Sequence, residues 1–126
     1  MAGESTDKRK VLVMGASTNP ERYSFRAINQ LLQHGFEVAA LGNKEGQVQT
    51  VSISKEMKPY ENIHTVTMYL GAKNQMPYYD YILSLKPKRV IFNPGSENGE
   101  FADILRKNGV EVEEACTLVM LGVGAF

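Results

Sequence analysis

Four short stretches of this sequence combine small, hydroxyl, amide and cationic residues in the manner of a site for a phosphorylated ligand. The first reads Gly15, Ala16, Ser17, Thr18, Asn19, Pro20 and directly follows the apolar run Val11 to Met14. Small side chains let backbone amides approach a ligand, and a helix start behind them favours an anion, so a phosphate suits the place. The same residues also fit a tight strand-to-helix turn in which Ser17 or Asn19 is merely a cap. The stretch is neither a G-x-G-x-x-G dinucleotide fingerprint nor a P-loop, because the second and third glycines and the G-K-[ST] ending are missing. Arg22 and Arg26 follow closely and can add positive charge near the same phosphates, although single arginines also serve as plain exposed helix residues.

In the second stretch, Leu41 is followed by Gly42, Asn43 and Lys44, where an NAD site would carry an acid for the ribose hydroxyls. A lysine there suits a phosphorylated ribose, which charge alone leaves open between NADP and coenzyme A; a solvated loop lysine is the plain alternative. The third stretch is Leu70, Gly71, Ala72 and Lys73, whose small members leave space for an adenine or a sugar. In the fourth, Asn93, Pro94, Gly95, Ser96, Glu97 and Asn98, Pro94 and Gly95 either shape a cleft wall or simply turn the chain, with Ser96 capping the next helix.

Elsewhere chemistry is sparse. Cys116 is the single cysteine, so it forms no internal disulfide; it is either a thiol at a ligand face or a small buried residue, and Glu113 and Glu114 beside it disfavour a thiolate. His34 and His64 are far apart in sequence and read as structural or exposed, and with one cysteine they make no typical zinc set. No residue forms an evident catalytic group with Cys116, so no catalytic residue is assigned. Tyr78, Tyr79 and Tyr81 read as half core and half surface, and Glu97 and Glu100 as favourable charges in a helix's first turn.

The elements that position these loops follow from hydrophobic period. Val11 to Met14 is a short all-apolar run, as a parallel strand buried on both faces requires. Ala27, Ile28, Leu31 and Leu32 mark a helix over about 24–34, stopped at Gly35. Strands are expected over 37–41, over 65–70 and 89–92, and over 110–112, with one short strand carried by Val48, Val51 and Ile53. A helix is expected over 74–85, ended by Pro87, and another around Phe101, Ile104 and Leu105, closed by Asn108 and Gly109. The pattern is an α/β, Rossmann-like, doubly wound and mostly parallel sheet of five to six strands with helices on both faces, and ligands belong at the strand carboxyl ends.

Composition narrows the function. At 126 residues the chain suits one domain, expected over 10–126 after a disordered N-terminus over 1–9, with Ala2 to Lys8 frayed. Fourteen Lys+Arg balance fourteen Asp+Glu, so no global field attracts nucleic acid or an anionic membrane. No apolar run nears the roughly 18 residues that span a bilayer, and the polar start carries no signal core, so a cytoplasmic protein is expected.

Taken jointly, the motifs Val13 to Pro20 with Tyr23 and Ser24, Gly42 to Gly46, Lys86 to Gly95 and Glu114 to Leu121 resemble the small stand-alone CoA-binding domain family, relatives of the coenzyme-A-binding domain of succinyl-CoA synthetase alpha subunits. The resemblance runs from Lys10 to Leu121. It implies binding of coenzyme A or an acyl-CoA through the phosphoadenosine end, carried by Gly15, Ala16, Ser17, Asn19, Pro20, Ser24 and Lys44, with Asn93, Pro94 and Gly95 lining the far side; Arg22 and Leu70 join these candidate binding residues from the reading of their own loops. The larger synthetases use a phosphorylated histidine from a second domain, a role neither His34 nor His64 matches. The expected function is therefore a non-catalytic binding, carrier or sensor module with a small nucleotide ligand. An NADP-dependent oxidoreductase and a regulatory subunit of a CoA-ligase-like assembly, its protein partner unknown, are the alternatives.

Overall fold

The computed structural model describes residues 9–126; the segment Ala2 to Lys8, expected to fray, lies outside the described residues. Its first strand, β1 (Lys10–Met14), has Val11 to Met14 wholly buried, which is why that run carries no polar alternation. The chain then forms α1 (Tyr23–Gln33), which buries Ala27, Ile28 and Leu31 and turns out at Gly35 into β2 (Glu37–Leu41), parallel to β1. Beyond the excursion to β3 (Gly46–Val48) and β4 (Val51–Ser54), β5 (Ile63–Met68) returns to the other side of β1. The remainder alternates α2 (Tyr79–Leu85), β6 (Arg89–Phe92), α3 (Gly99–Lys107), β7 (Glu111–Glu114) and α4 (Thr117–Gly122).

The sheet order is β3-β4-β2-β1-β5-β6-β7, with every pair parallel except β3 and β4. Side chains of β1 alternate between two cores: Val11 and Val13 meet Ile28, Leu31 and Leu121 from α1 and α4, while Leu12 and Met14 join Ile82, Phe101 and Leu105 from α2 and α3. Helices therefore cover both faces, as the doubly wound reading requires. Full burial of each such side chain contributes about 1.5 to 3 kcal/mol of transfer free energy. At one edge β7 presents Glu111 and Glu114 to solvent, charges that discourage pairing with another strand.

Three expectations are corrected. The sheet has seven strands rather than five or six, because the Val48, Val51, Ile53 segment is an antiparallel hairpin and not one strand. The spacing of three between Val48 and Val51 breaks the two-residue period of a strand, and the turn between them uses Gln49 at φ 52, a residue that does not announce a turn. The helix over 74–85 is shorter: two 3₁₀ turns, Ala72–Asn74 and Met76–Tyr78, precede α2, with Pro77 unable to donate to an α-helical ladder. The last strand lies over Glu111–Glu114, and the apolar tail after it is the helix α4.

Arg9, assigned with the terminal segment, is held in the domain. Its guanidinium donates to the Phe126 carbonyl at 2.9 Å and lies over the rings of Phe36 and Phe126.

Candidate functional site

In an open parallel sheet the loops diverge where the chain reverses direction across it, and a crevice opens beyond the strand carboxyl ends. Here β1 is the switch, with β2 on one side and β5 on the other. A cleft of about 580 Å³ opens at its carboxyl end, within the range of small-molecule sites.

The first wall contains Gly15, Ala16, Ser17 and Arg22. Gly15 has φ +86 and packs where a Cβ would lie 3.1 Å from the Leu70 nitrogen, so both conformation and space call for glycine. The Gly15 and Ala16 amides both donate to the Leu41 carbonyl, at 2.9 and 3.0 Å. They anchor the loop to β2 and are not turned to a ligand, whereas the Ser17 and Thr18 amides have no acceptor among the described residues. Ser17 Oγ accepts from the Asn19 amide at 3.0 Å, and Asn19 Oδ1 accepts from the Glu21 amide at 2.9 Å. These two side-chain turns lead the chain to Arg22, the N-cap of α1, so neither Ser17 nor Asn19 caps that helix directly. Pro20 lies instead by a shallow depression with Phe25, Arg26 and Leu118, and Ser24 is buried inside the first turn of α1.

The second wall is Leu41, Gly42 and Asn43. A Cβ on Gly42 would sit 2.3 Å from the Ala16 carbonyl oxygen, so only glycine lets the two loops touch. Lys44 is exposed beside this wall and does not line the cleft.

Tyr69, Leu70 and Gly71 begin the third wall, and the 3₁₀ turns continue it with Lys73, Asn74, Pro77 and Tyr78. Tyr69 and Leu70 fall past the end of β5, since the Tyr69 amide makes the last bond to β1, to the Met14 carbonyl at 2.9 Å. Gln75 holds this wall from behind. It is wholly buried, donates to the carbonyls of Leu70 at 2.9 Å and Ser96 at 2.8 Å, and accepts from Asn98 Nδ2 at 3.0 Å.

The fourth loop does not reach the cleft. The Asn93 amide group is buried, donating to Thr67 Oγ1 at 2.7 Å and the Met68 carbonyl at 2.9 Å and accepting from the Thr117 amide at 2.8 Å. It ties β5, β6 and the start of α4 together, while Pro94 and Gly95 are exposed outside the lining. The cap of α3 is Asn98, accepting from the Phe101 amide at 3.1 Å, and not Ser96. Of the residues expected to bind, the fold brings Gly15, Ala16, Ser17, Arg22 and Leu70 to one cleft and leaves Asn19, Pro20, Ser24, Lys44, Asn93, Pro94 and Gly95 out of its lining.

Beneath the cleft, Tyr69 turns its hydroxyl inward toward Thr67 and Thr117, whose own hydroxyls bond each other at 2.8 Å. Burial pushes the phenol up to about 12; the two threonine hydroxyls oppose this, and Cys116 nearby adds to it. Despite that proximity the phenol oxygen completes no hydrogen bond of good geometry. Cys116 itself is half-buried at the start of α4 and outside the lining.

The electrostatic character of the lining is one-sided. Among the described residues it contains Arg22 and Lys73 and no Asp, Glu, His or Cys. Sequence reading passed over Lys73, although it closes a loop at a strand's carboxyl end; Asn43, Tyr69, Pro77 and Tyr78 became lining residues only through the fold.

Residues 9–122 match the model of a family described as CoA binding domain. The chain belongs to that family. A solved structure of an uncharacterized protein is 47% identical, covering 95% of this chain and 99% of its own, with a TM-score of 0.93. A hypothetical protein from Pyrococcus horikoshii OT3 is 23% identical with a TM-score of 0.82, covering 90% of this chain and 82% of its own. Cell-free ID.343 from Thermus thermophilus is 18% identical with a TM-score of 0.80, covering 94% and 91%. The last two establish the shared fold. Among curated proteins no match is found. Membership in the CoA binding domain family supports coenzyme A binding in general.

Proposed function

We propose that this protein binds coenzyme A or an acyl-CoA through its phosphoadenosine end, in the cleft at the carboxyl end of β1, as a non-catalytic carrier or sensor acting in the cytoplasm. The observation that carries the reading is the lining itself: small residues on the first two walls, two cations and no acid, in a member of the CoA binding domain family. A site of that charge in a protein of zero net charge selects an anionic ligand locally. Small residues at Gly15, Ala16 and Gly42 let a ligand lie against backbone, and the Ser17 amide in the same lining has no acceptor among the described residues and is available to a phosphate.

Binding without chemistry is favoured because no lining side chain is a ready nucleophile or a general base of neutral pH. Lys44, exposed next to the second wall in sequence, is the residue assigned to the ribose 3′-phosphate in this reading.

Calorimetric titration with coenzyme A, dephospho-coenzyme A and NADPH tests the reading. Coenzyme A should bind, and removing its 3′-phosphate should weaken binding roughly tenfold, the lower end for a charge-assisted bond in solvent. Lys44→Ala should cause a like loss for coenzyme A and almost none for the dephospho form. Binding of NADPH with no binding of coenzyme A would replace the reading with an oxidoreductase one.

A further inference from the structure

The geometry points to Lys73 as the second anchor of the ligand's diphosphate, lining the same cleft as Arg22 from a different wall, a role separate from that of Lys44. The inference rests on the proposed ligand and deepens it by naming which charged group is held between the two walls.

Among the described residues, Lys73 and Arg22 are the only cationic side chains of the lining, and they come from different walls: Arg22 from the cap of α1, Lys73 from the first 3₁₀ turn after β5. Neither has an acidic partner among the described residues, although Lys10, Arg89 and Arg106 are each paired with a carboxylate. Two cations lining one cleft repel each other, and an anion bound between them is favoured. A diphosphate supplies two linked negative groups, so each wall can take one, and Ser17, whose amide has no acceptor among the described residues, lines the same wall as Arg22.

The backbone beneath Lys73 is already set. Two residues on, Gln75 is wholly buried and ties its turn to Leu70 and to Ser96, and the Asn74 and Gln75 amides close onto the Gly71 and Ala72 carbonyls at 2.9 and 3.1 Å. Pro77 keeps the segment from joining α2, which would carry Lys73 onto a helix instead of a turn at the cleft rim. The lysine therefore starts from a fixed Cα, and only its side chain must order on binding.

The test is titration of the full chain and of Lys73→Ala, Lys73→Arg, Arg22→Ala and Lys44→Ala with coenzyme A, dephospho-coenzyme A and ADP, with thermal melts to show that each variant folds. Lys73→Ala and Arg22→Ala should each weaken all three ligands by about tenfold, since all three carry the diphosphate. Lys73→Arg should recover most of the loss, while Lys44→Ala should affect coenzyme A alone. Tight binding of coenzyme A with Lys73→Ala within about twofold of the parent overturns the diphosphate assignment and leaves the proposed function standing. Lysine-dependent binding of ADP without binding of coenzyme A does the reverse. Failure of the parent to bind any of the three overturns both.

Discussion

The two ends of the sheet use the same residue types in opposite ways. At the amino end, the cations carried by the strands themselves are paired: Arg89 donates to Thr65 Oγ1 at 3.1 Å, meets Glu113 at 3.5 Å and stacks 4.6 Å from the Phe126 ring, while Lys10 pairs with Glu37 at 3.7 Å. At the carboxyl end, Arg22 and Lys73 stand without acidic partners among the described residues around an open cleft. A depression of about 600 Å³ also opens at the amino end, among Arg9, His64, Lys86 and Lys88, but it lies away from the strand carboxyl ends and the switch point. Charge that is neutralised within the protein stabilises the fold; charge left over is available to a ligand.

Among the described residues, each end also hides one polar side-chain atom without a hydrogen bond, Arg89 Nη2 and the Tyr69 hydroxyl. The guanidinium is compensated by an aromatic face and a carboxylate, and although burial lowers its pKa, Glu113 opposes that. The phenol has no such compensation, so the cleft's floor carries a cost that the amino end does not.

The comparison can be broken at four points. Arg89→Ala should have the largest effect on stability, about 3 kcal/mol, because it removes a buried cation from Glu113 and opens a cavity under Phe126. Urea denaturation should show that loss while coenzyme A affinity stays unchanged; a parallel loss of affinity would mean that the two ends are coupled. Gly42→Ala should cost about 2 kcal/mol by overpacking and also abolish ligand binding, since the new Cβ meets backbone and not a flexible side chain. A variant that binds normally would show that the first two walls need not touch.

Gln75→Leu should cost about 1 to 2 kcal/mol, leaving the Leu70 and Ser96 carbonyls without the donor that Gln75 supplies and Asn98 Nδ2 with Tyr79 Oη as its remaining acceptor. Its coenzyme A affinity should fall further than its stability alone explains, read by titration well below the melting temperature. Tyr69→Phe should have the smallest effect at neutral pH, a gain of about 0.5 to 1 kcal/mol from removing an unpartnered hydroxyl. In alkali the sign works against the parent. With the folded phenol near 12 and its ordinary value 10.0, the unfolded chain releases its proton first, so stability present below about pH 10 is lost as pH rises toward 12. Denaturation across that window should find Tyr69→Phe missing this part of the decline.

Much of this protein is determined by local pattern. The buried run Val11 to Met14, the stripe of α1 and the punctuation at Gly35, Pro87 and Gly109 specify a parallel α/β sheet, since hydrophobic period and turn chemistry act over a few residues. The loop Gly15 to Ser17 was legible as a site for the same reason, lying between a buried strand and a helix. The β3–β4 hairpin was not, because its turn depends on Gln49 at positive φ, which tertiary context imposes. Asn93 looked like a ligand wall from its position, yet the approach of Thr67 and Thr117 occupies its amide.

Which cations remain unpaired was likewise beyond the sequence, where Arg22, Lys44, Lys73 and Arg89 are equivalent charges. Only the packing of strands 24 residues apart in sequence brings Glu113 to Arg89 and leaves Arg22 and Lys73 facing an acid-free cleft. Local chemistry decides the elements, because its interactions are between neighbours; the site's charge is a difference between contacts made and contacts missing, and that exists only once distant segments have met.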